Sequence, residues 1–477
     1  MKVLLVNPPR FEGLSVIREE RCEITERYSV LEPYSLLQLG ALLRKNGHEV
    51  KLIDLNGFDQ GYEELERSLK AFRPGAMIFR FTPTTLDHDM KSATEAKSVD
   101  PSIRTVAVCW TLRTMPQQVM SSASSLDIYA RTDYEVVVPE VIDALAGARD
   151  LGSVKGIAYR DGTEIKLTEK AIPLKDYESI PRPAYDLLPN LDPYFITAPA
   201  GKPFTIMYTS KGCPFNCSFC TVAGTPWRPR SAESVLDELR FLKKSYGIKT
   251  VSFFDETFTL DKKRVQAITD AMIEEDFDIR WYCNTRVHLV DRELLQRMHQ
   301  AGCRGISYGV ESGSQTILDR ADKCLKVDQA KMAIRWAKEA RIKTLCSFII
   351  GLPGETWETV NETIAFVNET IPTSAQFNVA VPYPGTKLYE TIYGDKERVL
   401  DVRRLFQDEA VVGTDAMSPE ELNRARMLAY RSLYANPRWW LSNLKHVLTN
   451  PEDLDLATRY ALKIANNYLV HHMEDAH

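Results

Sequence analysis

The sequence predicts an α/β protein with a Rossmann-like domain, a partial TIM-like (β/α)6 barrel and a helical carboxyl-terminal region. Two series of short β-rich segments alternate with helical patterns, and a proline-rich passage separates the two series. The chain has 477 residues, of which 44% are hydrophobic and 26% charged, as in ordinary globular proteins. We expect a Rossmann-like domain, a linker, the barrel and a helical domain at residues 1–147, 148–200, 201–395 and 396–477.

In the first domain, each predicted strand is followed by a segment with helical spacing. One such segment, residues 33–45, ends at Asn46-Gly47, a typical helix terminus. Strands separated by helices at this spacing favour a parallel sheet, which binds ligands at the carboxyl ends of its strands. The predicted strands are residues 3–6, 50–55, 76–81, 104–109 and 127–131.

The linker contains a predicted hairpin, residues 156–159 and 164–167, joined at Asp161-Gly162. Beyond it the alternation resumes, with helical patterns such as residues 232–246, which Ser231 is expected to cap. Six β/α units predict a partial barrel with its chemistry at the carboxyl-terminal mouth. The barrel strands are expected at residues 205–208, 250–254, 278–283, 305–309, 344–350 and 376–381.

Charge and cysteine content exclude several classes of protein. Sixty basic and 65 acidic residues give a net charge of −5, which disfavours nucleic acid as the main partner. No apolar run is long enough to span a membrane, and the apolar start is too short for a signal peptide. Nine scattered cysteines do not suit a secreted disulfide framework, so we expect a cytoplasmic protein.

The strongest chemical signal is the C-x3-C-x2-C loop of Cys213, Cys217 and Cys220, directly after the first barrel strand. Three soft thiolates can hold three corners of an iron–sulfur cube and leave the fourth iron open to a small ligand. A zinc site or three structural thiols are the alternatives. Zinc sites usually combine two C-x2-C pairs, and the chain has no matching second pair.

This loop, with Phe219 before its last cysteine, resembles that of the radical S-adenosylmethionine (SAM) superfamily. The resemblance implies a [4Fe-4S] cluster whose open iron chelates the amino and carboxylate groups of SAM. One electron, expected from a reductase or a flavodoxin- or ferredoxin-type donor, then cleaves SAM into methionine and a 5′-deoxyadenosyl radical.

The resemblance also implies SAM contacts at the ends of the later barrel strands. It assigns acidic groups to the SAM amine, an arginine and polar side chains to the carboxylate and ribose, and a glycine turn and backbone groups to adenine. Each short motif also has a plain structural explanation, such as a helix-terminal charge pair or a turn. The residues are Asp255, Glu256, Arg286, Glu311, Ser312, Gly351, Phe377, Asn378 and Val379.

A Rossmann-like domain ahead of such a barrel resembles the cobalamin-binding subgroup of this superfamily, as do Asn7-Pro8-Pro9 and Pro181-Arg182-Pro183. The subgroup implies methylation of an unactivated carbon through methylcobalamin. Its loop after the third strand, here Phe81, Thr82 and Pro83, is expected against the lower face of the corrin.

Two loops depart from the subgroup. Cys109-Trp110 stands where Gly-Gly-Pro-His is usual, and Arg131-Thr132-Asp133 stands where Gly-Glu is typical. Large side chains there would fill the groove that glycine leaves open. We therefore keep two hypotheses: a cobalamin-dependent C-methyltransferase acting on a specialised metabolite or lipid, and a radical SAM enzyme with a degenerate domain that performs cyclisation, rearrangement or C–C bond formation without cobalamin. An electron carrier is disfavoured, because a carrier needs a fully ligated cluster.

Overall fold

The computed structural model describes residues 1–19, 29–196, 201–394 and 401–449, with side chains up to residue 444. The chain forms two compact units, and the first unit is built from three separate stretches of the sequence. The first unit comprises Met1–Ile196, Tyr383–Gly385 and Tyr393–Phe406, and the second comprises Thr197–Pro382, Thr386–Ile392 and the residues from Gln407 onward.

The first unit contains a seven-stranded sheet with the strand order β2-β1-β3-β4-β5-β6-β7. The strands are β1 (Lys2–Asn7), β2 (Glu49–Asp54), β3 (Ala76–Arg80), β4 (Arg104–Val108), β5 (Ile128–Ala130), β6 (Ile157–Asp161) and β7 (Glu164–Leu167). The helices are α1 (Tyr34–Lys45), α2 (Tyr62–Phe72), α3 (Leu86–Val99), α4 (Pro116–Ser122) and α5 (Tyr134–Leu145). Single turns of 3₁₀ helix occur at Leu151–Ser153 and Tyr185–Leu187.

The first five strands are parallel, as predicted, and each lies within about two residues of its expected bounds. The apolar run Val3–Val6 is fully buried because helices cover both faces of a parallel sheet. The order 2-1-3-4-5 reverses direction between β1 and β3, and open α/β sheets bind ligands at such a switch point.

The predicted hairpin forms, but it is not a linker element. Strand β6 pairs antiparallel with β5, with Ala130 opposite Ile157, and β7 pairs with β6. The hairpin therefore extends the first sheet by two strands and belongs to the first unit, whose first stretch ends at Ile196.

The second unit contains six parallel strands in sequential order, β8-β11-β12-β13-β14-β15, as the partial barrel prediction requires. The strands of this unit are β8 (Phe204–Met207), β9 (Ser210–Lys211), β10 (Arg228–Pro229), β11 (Thr250–Phe253), β12 (Arg280–Thr285), β13 (Cys303–Glu311), β14 (Lys343–Ile350) and β15 (Ser374–Val379). The helices are α6 (Ala232–Tyr246), α7 (Lys262–Glu274), α8 (Arg292–Gln300), α9 (Gln315–Arg320), α10 (Val327–Glu339), α11 (Trp357–Thr370), α12 (Lys387–Tyr393), α13 (Pro419–Tyr434) and α14 (Pro437–Thr449). A 3₁₀ turn occurs at Val287–Leu289 in this unit, and another, Val402–Arg404, occurs in the late segment of the first unit.

Local sequence signals set the ends of these helices. The Ser231 side chain caps α6 by accepting the N–H of Ser234, as expected, and Gly247 ends the helix in the left-handed conformation. In α13, Ser418 and Glu421 form a reciprocal capping box. Trp439 at the start of α14 is buried against Tyr434, so this aromatic side chain packs within the second unit.

Helix α13 covers the open edge of the second sheet, where β15 has no further strand beside it. Tyr430 accepts the Phe377 N–H at 3.0 Å, and the Arg426 Nε donates to the Phe377 carbonyl at 2.7 Å. The Tyr434 hydroxyl donates to the Ala375 carbonyl at 3.3 Å. Side chains spaced four residues apart on one helix thus satisfy the edge backbone.

Over the residues that the structure describes, none of the helices is both long enough and apolar enough to cross a membrane.

Candidate functional site

The three cysteines of the C-x3-C-x2-C motif lie in a loop whose two ends are tied together. The short strands β9 and β10 flank the loop and pair with each other, with Lys211 opposite Arg228. Gly212 has a φ of +92°, and a Cβ there would lie 2.1 Å from the Pro226 carbonyl oxygen. Only glycine fits this close approach, and it directs the chain into Cys213.

Cys213 and Cys217 are buried, and Cys220 is half-buried. Burial raises the pKa of the Cys213 thiol and raises that of Cys220 to about 12. Binding of a metal centre would therefore release protons from these thiols, as it does at other thiolate sites. The donor set itself, three thiols on one loop, suits an iron–sulfur cluster.

Across the described parts of the chain, no three His, Cys, Asp or Glu side chains converge in a way that could hold a metal ion. The three cysteines thus share a loop without closing on one point. An iron–sulfur cube uses each thiolate on a different iron, so its ligands stand apart.

Arg286, at the end of β12, contacts the cysteine loop directly. Its Nη1 donates to the Cys217 Sγ at 3.1 Å, and its Nη2 donates to the Lys323 carbonyl. The guanidinium lies over the Phe215 ring, 4.0 Å from the centroid. The resemblance implied that Arg286 contacts the carboxylate of SAM. In the structure one of its nitrogens bonds the cysteine loop and another bonds the Lys323 carbonyl.

Lys323 and Glu311 form a buried ion pair with an Nζ–Oε1 distance of 2.6 Å. Glu311 lies at the end of β13, with a φ of +71°, and Gly309 leaves room for both side chains. The Lys323 Nζ also lies 5.9 Å from the centroid of the Phe219 ring. Lys323 therefore connects β13 to the cysteine loop. Phe219 packs on an apolar cluster that includes Leu352.

The Asp255 carboxylate is hydrogen-bonded to two residues just after the first barrel strand. Its carboxylate is fully buried and accepts hydrogen bonds from the Thr209 N–H and hydroxyl and from the Ser210 hydroxyl, at 2.6–2.7 Å. It thereby fixes the entry into β9. A carboxylate has about four acceptor sites, so these three bonds leave capacity for one further donor, such as the SAM amine. The neighbouring Glu256 is half-buried.

Ser312 and Gly351 anchor turns. Ser312 bonds the Thr363 hydroxyl at 3.1 Å and accepts the Ser314 N–H at 3.0 Å. The Gly351 N–H donates to the buried Glu355 carboxylate at 3.1 Å, and Gly351 has a φ of +91°. Burial raises the pKa of Glu355 to about 7.

Several backbone groups of β15, the strand predicted to contact adenine, already form hydrogen bonds within the protein. Both backbone groups of Phe377 bond helix α13, and the Val379 N–H donates to the Gln407 carbonyl at 2.8 Å. Asn378, between them, is half-buried. These partners come from about 30 to 50 residues further along the chain, so the strand sequence alone does not reveal them.

In the first unit, buried polar groups gather at the ends of β1 and β2 and the start of α3. Asn7 donates to Asp54 at 2.7 Å, and Arg18 pairs with Asp89 at 2.7 Å. Arg18 also donates to the carbonyls of Pro8 and Pro9, so it fixes the loop after β1. Sequence analysis missed this pair, because no motif marks it.

The loops predicted to hold cobalamin lie at the carboxyl edge of the first sheet. Phe81 and Pro83 are buried, and the Thr82 hydroxyl bonds those of Thr84 and Thr85 at 3.1 and 2.9 Å.

In the next loop, Cys109 is buried, and its carbonyl accepts the Tyr129 hydroxyl at 2.7 Å. Trp110 is half-buried beneath the Arg113 guanidinium, 4.4 Å from the ring centroid.

Comparison with known proteins adds four findings. The family model described as the radical SAM superfamily matches residues 207–367. An uncharacterized methyltransferase of Pyrococcus horikoshii is 31% identical over 442 residues, covering 92% of this chain and 93% of that protein. The anaerobic magnesium-protoporphyrin IX monomethyl ester cyclase of Rubrivivax gelatinosus is 28% identical, covering 91% and 78% respectively. The structure of the radical SAM methyltransferase TsrM from Kitasatospora setae, with cobalamin and a [4Fe-4S] cluster bound, aligns with a TM-score of 0.67 at 18% identity, covering 89% of this chain and 81% of that chain.

Proposed function

Because this chain belongs to the radical SAM superfamily, we propose that it cleaves SAM reductively and acts as a cobalamin-dependent C-methyltransferase on an unactivated carbon of a small molecule, such as a specialised metabolite or a lipid. The observation that carries the proposal is the loop of Cys213, Cys217 and Cys220 at the mouth of six parallel strands. The methyltransferase from Pyrococcus, which aligns over nearly the whole chain, supports the methyl-transfer outcome.

The three cysteines would hold a [4Fe-4S] cluster, and Arg286 would place a positive charge beside it. When bound, that cluster supplies the electron that cleaves SAM into methionine and a 5′-deoxyadenosyl radical. Phe219 and the apolar cluster behind it keep water from one side of the loop. The candidates for SAM contacts stay as predicted: Phe219, Asp255, Glu256, Arg286, Glu311, Ser312, Gly351, Phe377, Asn378 and Val379.

Cobalamin would occupy the carboxyl edge of the first sheet and supply the methyl group. The strand order, with its switch point between β1 and β3, supports this placement, as does the cobalamin bound to the structurally similar TsrM. The hydroxyls of Thr82, Thr84 and Thr85 offer polar partners at that edge.

One observation favours a second candidate, a radical SAM cyclase or rearrangement enzyme that works without cobalamin. The Trp110–Arg113 stack places bulk in the loop where the cobalamin subgroup has glycine. The similarity to the cyclase of Rubrivivax gelatinosus over 91% of this chain supports cyclisation as an outcome.

We further propose that a flavodoxin- or ferredoxin-type protein or a reductase supplies the electron in a reducing cytoplasm. The eight described cysteines are all free thiols, which suits such a compartment.

The test is anaerobic purification with hydroxocobalamin supplied, followed by assay of metals and products. About four iron and one cobalt per chain, with 5′-deoxyadenosine formed after reduction and label moving from methyl-labelled SAM, would support the methyltransferase. Iron with 5′-deoxyadenosine but no cobalt would favour the cyclase. A protein without iron, under conditions that load other clusters, would exclude both.

A cysteine control separates the cluster ligands from structural thiols. Cys217→Ala is expected to lose most of the iron and all 5′-deoxyadenosine. Cys346→Ala, which alters a buried thiol on β14, is expected to keep both.

A further inference from the structure

The contacts of Arg286 point to a role beyond that of a SAM ligand. Its side chain is only 5% exposed, and three contacts fix it: Cys217 Sγ, the Lys323 carbonyl and the Phe215 ring. A planar guanidinium held on two nitrogens and one face has little rotamer freedom left. Arg286 thus presents a fixed N–H to one cysteine sulfur.

We propose that Arg286 is a positioning residue that hydrogen-bonds the Cys217 thiolate in the loaded enzyme and raises the reduction potential of the cluster. The inference rests on the proposed function, because it requires that Cys217 bind the cluster. Reduction adds one electron, which a low-potential reductant supplies, and no bond to Arg286 forms or breaks.

The physical reason is charge. The added electron increases the negative charge on the cluster and its sulfurs, and a fixed cation with a donated hydrogen bond stabilises that state more than the oxidised one. The effect is large in a buried place, because the local dielectric is low.

Arg286 differs in this respect from Lys323, another buried cation near the loop. Lys323 has its charge compensated by Glu311 at 2.6 Å. Within the described ranges, Arg286 forms no ion pair with a carboxylate, so its positive charge is not neutralised locally. One further donor, the Arg286 Nε, is buried there without a hydrogen-bond partner.

The experiment compares wild type, Arg286→Gln and Arg286→Lys after anaerobic cluster reconstitution. Iron content is measured first. The oxidised cluster is then reduced stepwise with dithionite in the presence of redox mediators, and the signal of the reduced cluster is followed by electron paramagnetic resonance. Arg426→Gln is the matched control. It also removes a guanidinium bonded to a backbone carbonyl of the second unit, but no hydrogen bond in the described part of the chain joins Arg426 to the three cysteines.

We expect Arg286→Gln to bind iron as wild type does and to lower the ratio of reduced to oxidised cluster about tenfold at a fixed potential, which is 59 mV for a one-electron couple. Arg286→Lys keeps the positive charge but loses the planar guanidinium, so its reduction potential should lie between those of wild type and Arg286→Gln. The reduction potential of Arg426→Gln should equal that of wild type.

Full iron loading of Arg286→Gln with an unchanged potential would overturn the inference. So would loss of iron from both Arg286 variants while Arg426→Gln loads, since Arg286 would then only build the loop. If Arg286→Gln alone fails to load, Arg286→Lys decides: a lowered potential supports the inference and an unchanged one refutes it. Failure of the wild type to bind iron would instead refute the proposed function.

Discussion

The Lys323 ammonium lies 2.6 Å from the Glu311 carboxylate, and both side chains are at least nine-tenths buried. The pair joins the end of β13 to the segment that also accepts a hydrogen bond from Arg286. Two charges removed from water in this way depend on each other, because either one alone would be buried without compensation.

Replacement of Lys323 by methionine should therefore destabilise the second unit by about 3–5 kcal/mol, since Glu311 would remain buried without its partner. Urea unfolding of the apo protein can measure this through tryptophan fluorescence, because six of the seven tryptophans lie in that unit. The double variant Lys323→Met/Glu311→Gln should recover part of the loss. Equal losses in the single and double variants would show that the pair contributes nothing specific.

Gly212 should be irreplaceable for cluster binding. Gly212→Ala forces a Cβ to 2.1 Å from the Pro226 carbonyl at a φ of +92°, so the loop must shift. We expect iron binding to fall by more than half while the far-ultraviolet circular dichroism stays unchanged. Gly247→Ala is the control, because Gly247 also has a positive φ but no atom within 4 Å of the added Cβ. Equal iron in both variants would contradict the role of the close approach.

Tyr430→Phe should weaken the covered edge of the second sheet. It removes the acceptor of the Phe377 N–H, and an unpaired buried N–H costs about 1–3 kcal/mol. Tyr434→Phe should cost less, because its bond to the Ala375 carbonyl is longer at 3.3 Å and an under-satisfied carbonyl is better tolerated. Urea unfolding of the two variants side by side tests the order, and the reverse order would show that ring packing dominates.

Glu355 should make stability depend on pH. Burial raises its pKa from 4.5 to about 7, so the folded protein keeps a proton that the unfolded chain has lost between these values. The free energy of unfolding should therefore fall as pH rises through this window, by about 3 kcal/mol in total.

Glu355→Gln should remove this pH dependence of the free energy of unfolding, and above pH 7 it should be more stable than wild type. Chemical unfolding at a series of pH values from 4.5 to 8 measures it. Glu358→Gln, at an exposed position in the first turn of α11, three residues after Glu355, should retain the wild-type slope. Parallel profiles for wild type and Glu355→Gln would rule out Glu355 as the source.

Hydrophobic periodicity predicted the strands of both sheets because each strand is a short apolar run bounded by turns. The predicted bounds 250–254 and the observed Thr250–Phe253 differ by one residue. The cysteine loop was equally visible, since its ligands are close in sequence. The hairpin was misassigned to a linker because its pairing with β5 leaves no local mark.

The side-chain partners around the loop were less predictable. Asp255 stood out as an acidic residue at a strand end, but its hydrogen bonds to Thr209 and Ser210 depend on a strand 45 residues earlier. Lys323 was not singled out, because a lone lysine between two charged or polar neighbours resembles any exposed turn. The spacing of Arg426, Tyr430 and Tyr434 was a usable signal for a helix face that contacts a sheet edge.

The return of residues 383–385 and 393–406 to the first unit has a consequence during protein synthesis. The ribosome releases the last pieces of that unit only after all six barrel strands have been translated, because β15 ends at Val379. The amino-terminal segment must therefore wait, incompletely packed, while the second unit is made. A gene fragment ending at Ile196 would encode a polypeptide that lacks part of its own unit, so expression trials of the first domain should add the later segments through a fused linker.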